Sequence, residues 1–206
     1  MAKKKKKKKT SRRTRTTVPK TFVLRVSLQW IEPEVWRTIA VRGDTTLGRL
    51  HDVLQAVVGW RHTHLHHFFS GDKRISDPRF ELDAFQDDDP VLDENDVLLS
   101  DIVSKKGDAF EYEYDFGDGW VHQISVLKTE PAGNHHPVWC LDGANACPPD
   151  DCGGPPGYEE LKRAVADPAH PEHEGMLEWL GGSFDPSAFD RRAVNLELCR
   201  WILTRE

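Results

Sequence analysis

No stretch of this 206-residue chain approaches the roughly 20 apolar residues in a row that a membrane-spanning helix needs. That absence argues against a helical membrane protein. No apolar segment follows the charged N-terminal run, so the run does not read as a secretory signal, and the chain is expected to be cytoplasmic. Cysteine is sparse. In a reducing compartment Cys140, Cys147, Cys152 and Cys199 are expected as thiols or metal ligands rather than as disulfides. Internal repeats are missing as well, and no local spacing completes a catalytic constellation.

Acidic residues are missing from one region only. Residues 1–20 hold eleven of the 28 Lys and Arg and no Asp or Glu, which leaves seventeen basic groups against 34 acidic ones in the rest of the chain. The pattern is a basic arm on an acidic body. The arm is low-complexity Lys, Arg and Thr and cannot bury enough apolar surface to fold alone, so residues 1–20 are expected to be disordered. Lys3, Lys4, Lys5, Lys6, Lys7, Lys8, Lys9, Arg12, Arg13 and Arg15 can bind DNA or RNA by counterion release, without sequence preference; the alternative is a solubilising tail. At 206 residues and 38% hydrophobic, the chain suffices for one substantial core, or for one core with a small appended lobe, and residues 21–206 are expected as one domain.

What the body does contain is clear periodicity. The strongest signal is Phe110–Lys128, FEYEYDFGDGWVHQISVLK, where two alternating runs flank Gly117-Asp118-Gly119 and predict a β-hairpin. Alternation puts Phe110, Tyr112, Tyr114 and Phe116 on one face and Glu111, Glu113 and Asp115 on the other. Thr21–Trp30 alternates in the same way, and Val35–Val41 is expected to return antiparallel to it after the turn at Glu32-Pro33-Glu34. Leu47, Leu50, Leu54, Val57 and Val58 recur at helical spacing and predict an amphipathic helix over 46–59, with Asp44 or Thr45 as N-cap.

A strand is expected at His64–Ser70, a short strand or loop at Phe80–Ala84, and a short helix at Leu98–Lys105. The Pro- and Gly-rich stretch 131–156 reads as irregular. Helices then follow from Pro155-Pro156 to Asp167-Pro168, over Glu172–Leu180 before Gly181-Gly182, and from Ser187 or Asp190 to Leu203. Strands, helix, strands and then helices define an α+β domain: a mainly antiparallel sheet packed by one central amphipathic helix, with a helical C-terminal third. Trp30, Trp36, Trp60, Trp120, Trp179 and Trp201 fall on apolar faces and are expected in the core.

Three clusters could carry chemistry. Cys140-x6-Cys147-x4-Cys152 can wrap a zinc ion, with His135, His136 or a residue brought in by folding as a fourth ligand, or can be thiols packed as small hydrophobes. His64 and His66, two apart on a strand, share a face and can ligate one metal if His122 or His51 joins them. The row Glu111, Glu113 and Asp115 can hold Mg²⁺, dock a basic protein partner, or be a solvated strand face. Between the predicted helix and the hairpin we expect a pocket lined by His51, Trp60, His64, His66, Asp118, Trp120 and His122.

Taken in order, EPEVWRTIAV, TTLGRLHDVLQAVVGW, HLHHF, YEYDFGDGWVHQI and CLDGANACPPDDCGGPPGYEEL resemble the plasmid Ri Orf-three-like family, also described as insertion-sequence passenger proteins. The resemblance covers residues 21–203 and implies one compact α+β domain with an association with mobile DNA. A recombinase would need a nucleophile set among arginines, whereas Ser125 lies mid-strand away from Arg and Tyr112 and Tyr114 read as core. The expected function is therefore a non-enzymatic binding or accessory module that touches nucleic acid through its arm. The alternative is a metal-dependent hydrolase built on His64, His66, His122 and the hairpin acids.

Overall fold

A computed structural model describes residues 20–82, 90–133 and 138–204. Strand β1 (Lys20–Leu28) forms where alternation is cleanest, with Phe22, Leu24, Val26 and Leu28 buried. Strand β2 (Trp36–Arg42) returns antiparallel and sets Val41 opposite Phe22 and Ile39 opposite Leu24, so the same inner face is apolar on both strands. Helix α1 (Leu47–Val58) lays Leu47, Leu50, Leu54 and Val57 into the core. Each such side chain, fully buried, contributes roughly 1.5–3 kcal/mol.

The chain continues through β3 (His66–Ser70), β4 (Lys73–Ser76), a 3₁₀ turn at Pro78–Phe80, β5 (Leu92–Asp93) and the short helix α2 (Leu99–Ile102). The predicted hairpin follows as β6 (Ala109–Tyr114) and β7 (Trp120–Pro131), pairing Tyr112 with His122 and Tyr114 with Trp120. Strand β8 (Val138–Ala144) and helices α3 (Gly154–Ala166), α4 (His173–Leu180) and α5 (Arg191–Thr204) complete the order.

The eight strands among the described residues join one sheet in the order β5-β4-β3-β6-β7-β1-β2-β8, antiparallel except at the β4–β5 pair. Helix α1 covers the inner face beside the central hairpin, and α5 packs on α1 and β8. The result is the expected single α+β domain. No helix among the described residues is long and apolar enough to cross a membrane.

Several local expectations need correction. Thr46, not Asp44 or Thr45, caps α1, its hydroxyl accepting from the Arg49 N–H at 3.3 Å, while Asp44 is held by Arg42 at 2.6 Å. Strict alternation fails at the end of β6: Asp115 turns left-handed at φ 57 and is buried, whereas Phe116 leaves the aromatic face, half-exposed against the His67 ring. The cause is an Asx turn, in which Asp115 Oδ1 accepts from the Gly117 N–H at 2.9 Å and from the Asp118 N–H at 3.3 Å.

Part of the stretch 131–156 is ordered as β8, because the open edge of β2 offers a partner and Val138 and Cys140 extend the inner face. Strand β4 was not anticipated, and a 3₁₀ turn reaches Phe80 where a strand or loop was expected; residues 83–89 lie outside the described residues. Trp60 and Trp120 are core residues, but Trp30 is 70% exposed and Trp179 is 50% exposed. Trp30 lies past the end of β1, in a turn with φ 62, and α4 buries none of its residues.

Candidate functional site

Helix α1, the loop after it, β3, residues 77–80 at the 3₁₀ turn and residues 94–95 surround a cavity of about 370 Å³ whose lining includes His51, Asp52, His62, His64, His66 and Glu94, with Arg49 and Arg79 also on its wall. The walls meet closely at Gly48. Its N–H donates to the Glu94 carbonyl at 3.1 Å, and a Cβ there would stand 2.7 Å from Asn95 Oδ1. Four imidazoles from one helix, one loop and one strand thus face a single concave space.

His51 organises this space. Its Nδ1 lies 2.7 Å from the Tyr112 hydroxyl, its Nε2 lies 3.1 Å from His62 Nδ1, and its ring stacks on His66 with centroids 3.5 Å apart at 5°. His62 Nδ1 is also 3.5 Å from Asp52 Oδ1. Ligand atoms of His51, Asp52 and His62 therefore all lie within 4.8 Å of one another. Gln55, one turn further along α1, braces the arrangement: its amide donates to Tyr112 Oη at 3.2 Å and its carbonyl accepts from the His62 N–H at 2.9 Å. Burial holds the Tyr112 phenol well above its usual titration range, so it remains a neutral hydrogen-bonding group. His66 is set by a 2.7 Å bond from Nε2 to the buried carboxylate of Glu94.

A second group adjoins the same loop. His64 Nε2 lies 2.9 Å from Asp151, 3.6 Å from Asp115 and 4.0 Å from Asp150. Thr63, between the two groups, bonds to the Tyr114 hydroxyl and, from Oγ1 at 3.2 Å, to Asp150 Oδ2.

The predicted pocket residues divide. His51, His64 and His66 line the cavity. His122 is buried behind it, donating from Nδ1 to the Trp120 carbonyl at 3.1 Å; burial pushes its pKa down to about 4. Trp60 stacks on Tyr114 with centroids 4.8 Å apart and anchors the 145–153 loop through a 2.9 Å bond to the Pro148 carbonyl. Trp120 packs beside it in the core. Asp118 faces α3 rather than the cavity: its carboxylate accepts from the Gly153 N–H at 3.1 Å, and a Cβ on Gly154 would come 2.4 Å from its carbonyl oxygen. The hairpin turn is thus the seat for the start of α3.

Neither group of three ligand atoms found among the described residues contains a cysteine. Burial pushes the Cys140 thiol up to about 11 and the Cys152 thiol up to about 12, and raises Cys147 as well, although the Arg37 guanidinium lies 3.1 Å from its sulfur. The expected trio Cys140, Cys147 and Cys152 is therefore not gathered with a fourth ligand here; His135 and His136 lie outside the described residues. The carboxylate row is divided too. Glu111 is exposed, Glu113 bonds His67 at 2.7 Å on the outer face, and Asp115 turns inward. The basic arm, Lys3 to Lys9 with Arg12, Arg13 and Arg15, lies outside the described residues.

Sequence reasoning missed Asp52, His62, Glu94, Asp150 and Asp151. A faint signal existed for three of them: His62 shares parity with His64 and His66, and Asp150-Asp151 sits inside the motif whose cysteines drew attention instead. Asp52 and Glu94 gave none, since an acid beside a helical histidine or in an acidic loop is commonplace.

Comparison with known proteins places this geometry in a family. The chain is 41% identical over 174 residues to the uncharacterised protein y4hQ of Sinorhizobium fredii (strain NBRC 101917 / NGR234), covering 84% of this chain and 87% of that one. It is similar in fold to the crystal structure of MM3350, a protein of unknown function from Methanosarcina mazei Go1, with a TM-score of 0.74 and 33% identity over 85% of this chain and 98% of that one. A family profile described as plasmid pRiA4b ORF-3-like protein matches residues 20–193, and the chain belongs to that family.

Proposed function

We propose that this protein is a metal-dependent binding module, whose cavity holds one first-row divalent metal ion through His51, His62 and Asp52 and an anionic ligand beside it. The observation that carries this is donor spacing. Ligands about 2.0–2.1 Å from a tetrahedral ion stand about 3.3–3.4 Å apart, and His62 Nδ1 lies 3.1 Å from His51 Nε2 and 3.5 Å from Asp52 Oδ1. Two imidazoles and a carboxylate suit Zn²⁺ or Fe²⁺ and leave coordination positions open. The bond from His51 Nδ1 to Tyr112 is the outer-shell support such a ligand needs to keep its ring oriented. Arg49, on the same wall, supplies positive charge an anion would meet beside the metal, whereas the Arg79 guanidinium is held by Asp77.

The test is calorimetric titration of metal-free protein with Zn²⁺. His62→Ala and Asp52→Asn should each weaken binding at the cavity by about 10–100-fold or more. Unchanged affinity in both would end the proposal.

A second reading, hydrolysis, rests on the Glu94–His66 pair at the cavity wall. His66 Nδ1 is buried with no hydrogen-bond partner, so an imidazole oriented by a carboxylate is available there to hold a proton. A bound metal with an open position would supply an activated water. Turnover of phosphoester or amide substrates that disappears in His66→Ala while metal is retained would favour hydrolysis; metal-loaded protein without turnover on that panel would favour binding alone.

The lysine-rich arm adds, on sequence grounds, non-specific contact with nucleic acid, in keeping with a family tied to plasmids. Deleting residues 2–19 should abolish low-salt affinity for polynucleotides. Unchanged affinity would remove the arm from the function.

A further inference from the structure

Three segments far apart in sequence meet at the His64 imidazole: the loop before β3, the end of β6 and the loop before α3. We propose that His64, Asp115, Asp150 and Asp151 form a second divalent-metal site, for an ion of the Mn²⁺ to Zn²⁺ class. None of these four residues is a ligand of the cavity site, so the inference stands apart from the function proposed above.

Distance is the first argument. Donors around one ion at about 2.1–2.2 Å stand between about 3.0 Å, when adjacent, and about 4.3 Å, when opposite. The three carboxylates approach His64 Nε2 at 2.9, 3.6 and 4.0 Å, and the donor atoms of His64, Asp150 and Asp151 all lie within 4.8 Å of one another, with Asp115 at the edge of that group.

Division of labour within the carboxylates is the second. Asp115 commits Oδ1 to the Gly117 and Asp118 N–H groups and turns Oδ2 to His64. Asp150 commits Oδ2 to the Thr63 hydroxyl and leaves Oδ1 on the side of His64. Each uses one oxygen to be positioned and offers the other. Both His64 Nε2 and Asp150 Oδ1 are shut off from solvent without a well-aligned hydrogen bond among the described residues: Asp151 stands 2.9 Å from the His64 nitrogen as an ion-pair contact only, so these atoms are poorly satisfied until a cation meets them.

Charge is the third. His64 is the sole ion-pair partner of Asp115, Asp150 and Asp151 among the described residues, with no Lys or Arg against any of them. Three carboxylates around one imidazole leave a negative excess that a divalent cation neutralises. One nitrogen and three oxygen donors favour Mn²⁺, Fe²⁺ or Zn²⁺ over Mg²⁺ and Ca²⁺, which prefer oxygen throughout.

The proposal is tested by titrating the metal-free full chain with Mn²⁺ and following free Mn²⁺ by electron paramagnetic resonance. His64→Ala and the pair Asp150→Asn with Asp151→Asn should each weaken one class of site at least about tenfold, and His62→Ala should leave that class intact. Asp151→Asn alone guards against misfolding, because that side chain is 68% exposed, and it should weaken the same class with the thermal midpoint of the apoprotein unchanged. Identical Mn²⁺ isotherms for wild type, His64→Ala and the double variant would overturn the site. A class lost only in His62→Ala would overturn it too while sparing the cavity site.

Discussion

The histidine-bearing and cysteine-bearing regions of this protein invite opposite expectations and reverse them. Cys140, Cys147 and Cys152 lie within thirteen positions in a Gly/Pro-rich stretch, the form a wrapped metal site takes in sequence. In the fold that stretch has a strand of its own, and its sulfurs are desolvated and held protonated. The histidines and acids come from α1, the loop before β3 and the loop before α3, yet they converge on two sets of donors within 4.8 Å, with His66 of β3 and Asp115 at the end of β6 beside them. Short spacing along the chain is neither needed for a site nor enough to make one. What gathers donors is the sheet order, which puts β3 beside β6 and brings the turn after β6 under the loop that precedes α3.

The largest expected effect puts the contrast to a direct test. His51→Ala should weaken Zn²⁺ binding at the cavity by about 100-fold or more, because it removes a ligand and one of the two hydrogen bonds that hold Tyr112 at once. The same titration on the triple variant Cys140→Ser, Cys147→Ser, Cys152→Ser should give the wild-type affinity, provided its circular dichroism remains native. Should the triple variant lose metal and His51→Ala keep it, the two regions would have to be exchanged in this account.

The next effect sets the buried histidine against those of the cavity. Folding depresses the His122 pKa from 6.5 to about 4 by burial, so the unfolded chain binds the extra proton. Its contribution is intact above about pH 6.5 and is lost as pH falls toward 4, reaching about 3 kcal/mol. Urea midpoints measured from pH 7 to 4 should therefore fall more steeply in wild type than in His122→Gln. Parallel curves would show that another group dominates acid sensitivity.

These expectations bear on how much was legible in the sequence. Phe22, Leu24, Val26 and Leu28, like Leu47, Leu50 and Leu54, announce their elements because a strand or helix face is a local property with a fixed period. His51, His64 and His66 could be named as cavity residues on the same grounds, from the faces they occupy. His62, Glu94, Asp150 and Asp151 stand out at most faintly, because their role depends on which loops the sheet order brings together, and Asp52 does not stand out, because an acid beside a helical histidine is commonplace. Asp115 was assigned to the wrong face for a related reason: one left-handed residue ends the alternation on which the assignment stood.

A smaller effect addresses the joint between the regions. Gly154 has φ +69, and a Cβ there would stand 2.4 Å from the Asp118 carbonyl oxygen, which is backbone and cannot swing away. Gly154→Ala should cost about 2 kcal/mol or more, through strain and a displaced start of α3. Because Asp150 and Asp151 hang from that start, Mn²⁺ affinity should fall along with the thermal midpoint. A stability loss with Mn²⁺ binding intact would separate the seat of α3 from the second site.

The smallest effect is expected at Cys147. Its sulfur accepts from Arg37 Nη2 at 3.1 Å, while the same guanidinium donates to the carbonyls of Trp36, Ala144 and Asn145 and lies over the Phe189 ring. Arg37 is thus held by many bonds, of which the sulfur contributes one. Cys147→Ala removes one weak acceptor and a small apolar volume, so it should cost about 1 kcal/mol. Metal affinity at both sites should stay within a factor of about two, since neither set of donors includes a thiol. Denaturant unfolding and Zn²⁺ titration of the same preparation read both quantities. A loss of several kcal/mol would mean that Arg37 depends on the sulfur to stay buried, and a loss of metal would return the cysteine region to metal chemistry.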